Sequence, residues 1–368
     1  MRLLITGSNG FLGRNLVSHL ELENDVEVDT FTRSNSIDSL KDKVQQADMV
    51  CHFAGINRSK DVAEFREVNT GLTELICNFA RRCRKKIPII FSSSIQAAED
   101  NIYGKSKRQA ENALREYSNQ TGANVYIFRL TNVMGKWCKP NYNSVVATFC
   151  HNISNGLPID VHDPKKEIFL VYIDDVIKKF IKIIKGKEVP NKKFYLVEPE
   201  YKITVGDLAA TIRDFLSERE SLQIGEVGDG LERALYATYL SYQDVAYFSY
   251  RIPEHNDDRG RFCEILKTPK SGQFSFLTAK PGITRGRHYH HTKNEKFLVV
   301  KGEAEFNFRH LLNDTTYKIC VTAAEPTIVE TIPGWVHDIT NTGNEELIVF
   351  LWANEVFDKN NPDTFRME

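Results

Sequence analysis

The pattern of apolar residues changes near residue 244, and this change constrains the fold more than any other feature of the sequence. Before about residue 135, short apolar runs such as 3–6 and 87–92 alternate with longer amphipathic runs such as 65–82. After about residue 244 the apolar runs are short and are punctuated by glycine, proline and asparagine. Alternating strands and helices predict a parallel sheet covered by helices on both faces, whereas short strands with frequent turns predict an all-β barrel or sandwich.

The length of the chain supports two domains. A chain of 368 residues is longer than one hydrophobic core usually serves. We expect a doubly wound α/β domain at 1–243, with a less regular substrate lobe at about 136–243, and an all-β domain at 244–368. Helical patterns in the lobe span 144–154, 174–185, 205–218 and 231–241. Strand patterns after the boundary span 273–278, 295–300, 304–309, 327–331 and 346–352.

Charge and cysteine content exclude several classes of protein. Lysine and arginine number 48 against 49 acidic residues, so the net charge favours neither nucleic acid nor an anionic membrane as a partner. No apolar run approaches the ~20 residues that a spanning helix needs, and the N-terminal run has no signal-peptide pattern. The 7 cysteines form no C-x-x-C pair, which is typical of a reducing compartment. We therefore expect a cytoplasmic protein without membrane insertion.

A glycine-rich turn joins the first strand pattern to the first helix pattern. Its sequence from residue 7 is Gly-Ser-Asn-Gly-Phe-Leu-Gly, a G-x-x-G-x-x-G spacing typical of short-chain reductases. Glycines let the backbone turn tightly and approach a pyrophosphate, which the N–H groups at a helix N-terminus attract. An ordinary strand-to-helix turn is the alternative, but the position of the motif in the chain favours a dinucleotide site.

The residue after the second strand distinguishes NAD from NADP. An acid here would hold the ribose 2′-hydroxyl of NAD, but the sequence has Arg33. A guanidinium suits a 2′-phosphate, so NADP(H) is favoured, with Arg14 as a second cation. Asp29 in the same strand is the alternative ribose contact, and an exposed Arg33 without a role is another. The expected cofactor contacts are Gly7, Gly10, Phe11, Leu12, Gly13, Arg14, Arg33, Ala54, Tyr103 and Lys107.

A serine-rich strand end and the following helix carry a candidate reductive site. Tyr103 and Lys107 lie four residues apart and project from one helix face. A nearby ammonium would lower the pKa of the phenol from ~10, so that the tyrosine can exchange a proton with a carbonyl oxygen. A serine hydroxyl would steady that oxygen. Ser94 is the expected serine and Ser93 is the alternative, because the loop before Tyr103 is short.

Two further phrases resemble extended short-chain reductases that act on nucleotide sugars. Residues 129–135, Arg-Leu-Thr-Asn-Val-Met-Gly, are similar to the R-x-x-N-V-x-G segment of the sugar-nucleotide site in those enzymes. The resemblance implies that Asn132 contacts substrate. Residues 172–176, Tyr-Ile-Asp-Asp-Val, are similar to the Y-V-D-D-V element, which we expect to be structural.

The all-β part contains a metal-binding pattern. Residues 282–302 fit the first cupin motif, G-x5-H-x-H-x4-E-x6-G, without a gap, and residues 333–341 fit the looser second motif. Histidines at i and i+2 share one face of a strand, and an acid and a third histidine complete a divalent-metal site. The four expected ligands are His288, His290, Glu295 and His337. This set admits Zn, Fe, Mn or Ni, with Zn favoured, whereas His291 and His310 do not fit the pattern.

The same strand also resembles a metal-free family. Residues 284–289, Thr-Arg-Gly-Arg-His-Tyr, are similar to the R-G-x-H-Y segment of 3,5-epimerases acting on nucleotide 4-keto-6-deoxy sugars, in which the histidine is a catalytic base. Residues 258–262 resemble the D-x-R-G-x-F phrase of those barrels, which implies that Arg259 faces the diphosphate, while Lys296 is a further substrate-site candidate. Because His290 and Glu295 depart from that family, metal binding and epimerase chemistry can coexist.

Taken together, the motifs resemble the bifunctional capsular-polysaccharide enzymes of the CapF type over nearly the whole chain. Segments 135–144, 239–242 and 290–300 carry this resemblance. It implies a Rossmann-type reductase fused to a cupin barrel, and a homodimer acting on a UDP-linked 4-keto-6-deoxy amino sugar. It also implies that the cupin epimerises C3 and that the reductase then reduces C4 with NADPH to a 6-deoxy-L-talosamine derivative on the way to UDP-N-acetyl-L-fucosamine.

Two other hypotheses belong to different classes. In one, the reductase acts alone and the cupin is a structural or dimerising module. In the other, the chain is a nucleotide-sugar sensor that binds NADP without turnover, which the presence of both Tyr103 and Lys107 argues against.

Overall fold

The structure is a computed structural model that describes residues 1–21, 23–188, 190, 192–291, 293–312, 315–360 and 362–367. It divides into two compact units, which are described separately. The first unit comprises Met1–Arg213 and Arg233–Gln243, and the second comprises Asp214–Glu232 and Asp244–Glu368. One of the dividing points falls between residues 243 and 244, and the expected domain boundary there stays a prediction.

Residues 2–240 contain eight strands and nine α-helices among the described residues. The strands are β1 (Arg2–Thr6), β2 (Glu27–Phe31), β3 (Met49–His52), β4 (Ile89–Ser94), β5 (Val125–Leu130), β6 (Asn132–Met134), β7 (Glu167–Tyr172) and β8 (Glu200–Thr204). The helices are α1 (Phe11–Leu20), α2 (Ile37–Gln46), α3 (Val62–Glu64), α4 (Leu72–Arg81), α5 (Ile102–Thr121), α6 (Val145–Ser154), α7 (Ile173–Ile184), α8 (Val205–Ser221) and α9 (Gly230–Leu240). A π-helical segment, Phe65–Gly71, joins α3 to α4, and 3-10 turns span Ile95–Ala98 and Val245–Phe248.

The first five strands form a parallel sheet with the order β2-β1-β3-β4-β5. Its central strands are apolar because both faces are covered: Leu3, Leu4 and Ile5 of β1 are fully buried. From β1, the next strand β2 is added on one side and β3 on the other, so the strand order reverses between β1 and β3. In sheets of this type, ligands bind at this point, outside the carboxyl ends of the strands. The glycine turn leaves β1 at this end of the sheet.

The expected substrate lobe contributes a second, smaller sheet. In this sheet β6 pairs parallel with β7, and β7 pairs antiparallel with β8. Helices α6 to α9 match the helical patterns of the lobe to within a few residues. Within the described residues, no helix is both long enough and apolar enough to cross a membrane.

The second unit is an antiparallel β structure. Its strands are β9 (His255–Asp257), β10 (Gly260–Thr268), β11 (Gly272–Ala279), β12 (Thr284–Tyr289), β13 (Glu295–Lys301), β14 (Glu303–His310), β15 (Thr316–Thr322), β16 (Ile328–Glu330), β17 (Trp335–Asn341), β18 (Leu347–Ala353) and β19 (Phe365–Arg366). They form two sheets with the orders β16-β13-β18-β11-β10-β9 and β15-β14-β17-β12-β19.

The inward residues of both sheets share one core, which contains Phe297, Phe306 and Val349. The expected fold class, a Rossmann-type parallel sheet followed by an all-β cupin barrel, is confirmed. Strands that the apolar pattern missed, such as β15 and β12, are rich in polar residues and depend on their neighbours for pairing.

Candidate active sites

The glycine turn brings the ends of β1 and β3 together. Gly7 has a φ of 72°, and a Cβ on it would lie 2.7 Å from the backbone nitrogen of Ala54. A Cβ on Gly13 would lie 2.3 Å from the carbonyl oxygen of Gly7, so glycine lets α1 pack directly on the turn. Gly10 caps α1 without a side-chain hydrogen bond. No capping side chain therefore occupies the first N–H groups of α1, which leaves them available to a pyrophosphate.

The remaining expected cofactor residues lie around this turn. Phe11 and Leu12 are partly buried in the first turn of α1, and Arg14 beside them is exposed. Ala54 follows the end of β3 and lies next to Gly7, as the close approach above shows.

The loop after β2 is polar and basic. Arg33 is exposed two residues beyond the end of β2. The hydroxyl oxygens of Thr32 and Ser34, which the sequence analysis did not single out, lie 2.8 Å apart on either side of it. Asp29 lies within β2 rather than at its end, and its carboxylate forms an ion pair with Lys43. The geometry thus leaves Arg33 and two hydroxyls, rather than a carboxylate, at the strand end.

The two candidate serines point to different partners. Ser93 is buried, and its hydroxyl donates to a carboxylate oxygen of Glu111 at 2.6 Å. Glu111 also receives two hydrogen bonds from Arg129, at 2.9 and 2.7 Å, so Ser93 belongs to a closed buried network. The Ser94 hydroxyl instead accepts from the N–H of Gln96 at 3.2 Å and lies close enough to Tyr103 to affect the pKa of its phenol. Adjacent residues of a strand face opposite sides, which explains the difference. The structure brings Ser94, not Ser93, to the tyrosine.

Tyr103 and Lys107 lie in the first turns of α5, which Asn101 caps by accepting from the N–H of Gly104 at 2.7 Å. Burial raises the pKa of the Tyr103 phenol, and the nearby Ser94 hydroxyl opposes the rise. The pKa of the phenol is therefore raised in this structure and not lowered as expected. The physical reason is that the Lys107 ammonium donates to the carbonyl of Ser92 at 2.9 Å, while the buried phenol loses hydration.

Lys107 is a buried cation. Burial lowers the pKa of Lys107 to about 8, and Glu111 opposes this shift. A Cβ on Gly55 would lie 3.3 Å from the Lys107 nitrogen and 2.9 Å from the side-chain oxygen of Asn69. A glycine at 55 therefore lets the segment after β3 approach the lysine.

Asn69 is a site residue that the sequence analysis missed. It lies in the π-helical segment, an uncommon element that often marks functional sites. Its amide accepts from the N–H of Ile56 and donates to the carbonyl of Ile56, both at 2.9 Å, and also donates to Ser106 at 3.0 Å. Asn69 thus ties the segment after β3 to α5 between Tyr103 and Lys107. No short motif marks it.

The two nucleotide-sugar phrases have different surroundings. Asn132 is exposed on β6, and its amide donates to the carbonyl of Phe169 at 3.0 Å. Among the described residues, none forms a hydrogen bond with its amide oxygen. The substrate role of Asn132 stays a prediction. Asp174 at the start of α7 accepts from Lys136 at 2.6 Å and hydrogen-bonds Tyr172. These contacts fix the start of α7, which agrees with a structural role for residues 172–176.

In the second unit, four side chains form one buried cluster. The potential ligand atoms of His288, His290, Glu295 and His337 all lie within 4.8 Å of one another. One oxygen of Glu295 lies 3.1 Å from Nε2 of His290 and 3.3 Å from Nε2 of His337. Strand β12 supplies His288, β13 supplies Glu295 and β17 supplies His337, while His290 follows β12 directly. The structure therefore brings all four expected ligands together, and it leaves His291 and His310 outside the cluster.

The cluster fits a divalent cation. Both ring nitrogens of His337 are buried without a hydrogen-bond partner, although such groups normally have one. Burial by itself would raise the pKa of Glu295, but the adjoining imidazoles of His290 and His337 hold it well below its usual range. Burial lowers the pKa of His288 to about 4. The cluster thus offers imidazole nitrogens and a carboxylate, which are the donors that zinc and related ions prefer.

A cavity of about 470 Å³ opens next to the cluster. Its lining includes Lys293, whose side chain is only 9% exposed and whose nitrogen lies 4.0 Å from an oxygen of Glu295. Arg259 also lines the cavity and is half exposed, with Asp257 as its ion-pair partner at 2.5 Å. Lys296 does not line it. That side chain is 42% exposed and forms an ion pair with Glu330 at 2.6 Å.

The expected substrate role of Lys296 therefore does not agree with its placement. It follows the inward-facing Glu295 on β13, and consecutive strand residues face opposite sides. The alternation of apolar and polar residues along β13 therefore predicts that Lys296 faces outward. Lys293 precedes the strand, where no periodicity predicts the direction of a side chain.

Comparisons with known proteins agree with this division of the chain. The model described as the NAD dependent epimerase/dehydratase family matches residues 3–197. The model described as the polysaccharide biosynthesis C-terminal domain matches residues 255–365.

Individual proteins are similar over the whole length. The chain is 52% identical over 365 residues to the UDP-2-acetamido-2,6-beta-L-arabino-hexul-4-ose reductase of Pseudomonas aeruginosa, with 99% of this chain and 98% of that protein covered. The crystal structure of the capsular polysaccharide assembling protein CapF from Staphylococcus aureus is 40% identical, with a TM-score of 0.93 and 100% of both chains covered. The UDP-glucose 4-epimerase of Thermotoga maritima, 18% identical with a TM-score of 0.56 over 66% of this chain and 98% of that chain, is similar in fold alone.

Proposed function

Because this chain belongs to the NAD dependent epimerase/dehydratase family and carries a polysaccharide biosynthesis C-terminal domain, we propose that it is a bifunctional sugar-nucleotide enzyme of capsule or O-antigen synthesis. The second unit epimerises C3 of a UDP-2-acetamido-2,6-dideoxy-4-hexulose. The first unit reduces the C4 ketone with NADPH to a UDP-2-acetamido-2,6-dideoxy-L-talose, on the route to UDP-N-acetyl-L-fucosamine. The observation that carries the proposal is that one chain has both the Ser94–Tyr103 pair and a buried cluster of three histidines and one glutamate.

Reduction at C4 requires a hydride donor, a proton donor and a group that holds the carbonyl oxygen. Bound NADPH supplies the hydride to C4. The Ser94 hydroxyl lies close enough to Tyr103 to affect the pKa of its phenol, so one carbonyl oxygen can contact both hydroxyls. Burial keeps the Tyr103 phenol protonated, which is the form that gives a proton to that oxygen. The Lys107 ammonium, one helical turn away, stabilises the phenolate that results.

The proposal of NADPH rather than NADH depends on the loop after β2. Arg33 is exposed there, and the hydroxyls of Thr32 and Ser34 flank it. A guanidinium with two hydroxyl groups suits a 2′-phosphate, whereas the carboxylate of Asp29 is paired with Lys43.

Epimerisation at C3 uses the acidity that the C4 ketone gives to the neighbouring C–H bond. A divalent ion, which we propose to be zinc, would be held by His288, His290, Glu295 and His337 and would draw electron density from the carbonyl. The C3 proton leaves from one face and a proton returns from the other, so the configuration inverts without net change in composition. The Lys293 ammonium in the same cavity offsets the negative charge of the enolate, and Arg259 contacts the diphosphate.

The chemistry fixes the order of the two steps. The C3 proton is acidic only while C4 is a ketone, and reduction removes that ketone. Epimerisation therefore precedes reduction, and the epimerised ketone is the substrate of the first unit. We further propose that the enzyme acts as a homodimer in the cytoplasm, which light scattering and cell fractionation test.

The product of a complete reaction tests the proposed function. The full chain is incubated with NADPH and the UDP-linked 4-keto sugar, and NMR determines the configuration of the product at C3 and C4. Inversion at C3 together with a new hydroxyl at C4 is expected. Reduction with retention at C3 would instead support a reductase with a structural cupin. Absence of NADPH oxidation would contradict the reductase assignment.

A further inference from the structure

A short segment of the second unit, residues 363–367, lies against β12, the strand that carries His288 and leads directly to His290. We call it the clasp. Its strand β19 pairs antiparallel with β12, with Arg366 opposite His288 and Phe365 opposite Tyr289. The N–H of Met367 donates to the carbonyl of Arg287 at 3.0 Å. The clasp therefore extends the sheet at the cluster, although it follows His290 by more than 70 residues in the chain.

The side chain of Asp363 holds the chain between β12 and β13. One of its oxygens accepts from the N–H of His291 at 2.9 Å, and the other accepts from the N–H of Lys293 at 2.7 Å. These two N–H groups lie between the ligands His290 and Glu295. A carboxylate that accepts two backbone hydrogen bonds fixes the path of this connection more firmly than one neutral acceptor does.

The backbone of Asp363 determines the tautomer of His290. Its carbonyl oxygen lies 2.5 Å from Nδ1 of His290, and a carbonyl only accepts, so this nitrogen carries the proton. Nε2 is then the nitrogen that faces the cluster, 3.1 Å from an oxygen of Glu295. Histidine ligands of metal ions generally depend on such a partner for ring orientation and basicity.

The next residue of the clasp directs the cavity lysine. The ammonium of Lys293 donates to the hydroxyl of Thr364 at 2.8 Å, and this contact leaves it 4.0 Å from Glu295. The ring of Phe365 stacks on Tyr289 with a centroid distance of 5.2 Å. The clasp thus contacts both the metal-ligand candidate His290 and the cavity residue Lys293.

We infer that the clasp is a positioning element: Asp363 orients His290 for metal binding, and Thr364 orients Lys293 toward the substrate. The inference rests on the proposed epimerase function of the second unit. The residues of the clasp lie outside both cupin motifs.

The test compares Asp363→Ala with Asp358→Ala in the full chain. Asp358 also accepts a backbone hydrogen bond, from Asn360 at 2.8 Å, but has no contact with the cluster in the described residues. Zinc affinity is measured by competition with a chelator, and ¹⁵N NMR of labelled histidine in the metal-free protein reports the tautomer of His290. Alanine keeps the backbone carbonyl of residue 363 but removes the two side-chain acceptors that hold it against His290. We therefore expect Asp363→Ala to weaken zinc binding about 10- to 100-fold and to leave Nδ1 of His290 without a fixed partner, whereas Asp358→Ala changes neither.

Two further variants separate positioning from folding. Asp363→Asn keeps one acceptor and should restore part of the zinc affinity. Thr364→Val should leave zinc affinity unchanged and slow deuterium exchange at C3 of the 4-keto sugar. NADPH affinity reports that the first unit is intact in each variant.

The possible failures are distinguishable. Parental zinc affinity and an unchanged His290 tautomer in Asp363→Ala would overturn the clasp inference alone. If the parent chain itself binds no divalent ion, the metal of the proposed function fails, and the inference fails with it.

Discussion

The two candidate sites bury their charged groups in different surroundings. In the first unit the Lys107 ammonium donates to the carbonyl of Ser92, and the carboxylate of Glu111 is buried near it. In the second unit the buried carboxylate of Glu295 lies among three imidazoles. A buried cation stabilises an anion that forms nearby, as a phenolate does after proton donation. A buried carboxylate among imidazole nitrogens instead suits a divalent cation.

The sites also differ in how the chain builds them. Tyr103 and Lys107 come from one helix, and Ser94 comes from the strand just before it, so local structure alone brings them close. The cupin ligands come from three strands, and the clasp that contacts them is far away in the chain. The first site should therefore tolerate loss of distant contacts, whereas the second should be sensitive to them.

The largest expected effect separates the two sites. Tyr103→Phe should lower the rate of NADPH oxidation about 10²- to 10⁴-fold, because the phenol supplies the proton at C4. Deuterium exchange at C3 should continue at the parental rate. Stopped-flow absorbance of NADPH measures the first quantity and NMR in D2O the second. A variant that reduces substrate at nearly the parental rate would refute the role of Tyr103.

A matched pair of lysines tests the second site. Lys293→Met should slow exchange at C3 about 100-fold, because it removes the cation that offsets the enolate charge. Lys296→Met removes a lysine that is exposed and paired with Glu330, so exchange should be unchanged and stability should fall by at most about 1 kcal/mol. Equal effects of the two substitutions on exchange would show that the cavity position of Lys293 does not matter.

Cofactor preference should change by a smaller factor. Arg33→Asp removes the cation at the 2′-phosphate and adds a repulsive carboxylate, which should shift the ratio of kcat/KM for NADPH and NADH about 10- to 100-fold toward NADH. Steady-state kinetics with both cofactors measure the ratio. An unchanged ratio would mean that Arg33 does not contact the phosphate.

The smallest expected effect distinguishes the two serines. Ser94→Ala should slow reduction about 10-fold, because one hydrogen bond at the carbonyl oxygen is lost. Ser93→Ala should leave the rate nearly unchanged and lower the free energy of unfolding by about 1–3 kcal/mol, because a buried oxygen of Glu111 loses one of its two donors. Rate and thermal denaturation are measured for both. The opposite pattern would assign the site to Ser93.

The same contrast between local and distant structure explains what the sequence predicts. The helix pair Tyr103 and Lys107, the glycine turn and the metal ligands follow fixed spacings, and the structure brings each group together. The choice between Ser93 and Ser94 depends on which strand face meets α5, and no spacing reveals that. Strand alternation next to Glu295 predicts that Lys296 faces outward, so this placement was available from the sequence.

Other features lie beyond any short pattern. Asn69 acts through two backbone groups of Ile56, and backbone contacts leave no signature in side-chain identity. The clasp reaches the cluster from a distant part of the chain, and only the pairing of β19 with β12 shows it. The pKa of Tyr103 depends on burial, which spacing on a helix does not report.

The central claim is that two separate chemistries occupy two units of one chain. The most direct measurement is deuterium incorporation at C3 of the UDP-linked 4-keto sugar in D2O without NADPH, compared among the parent, Tyr103→Phe and His337→Ala. The account predicts full incorporation by the parent and by Tyr103→Phe, and little by His337→Ala, because that substitution removes the ligand that β17 supplies. Incorporation that persists in His337→Ala and disappears in Tyr103→Phe would contradict it, since the C3 chemistry would then belong to the reductase.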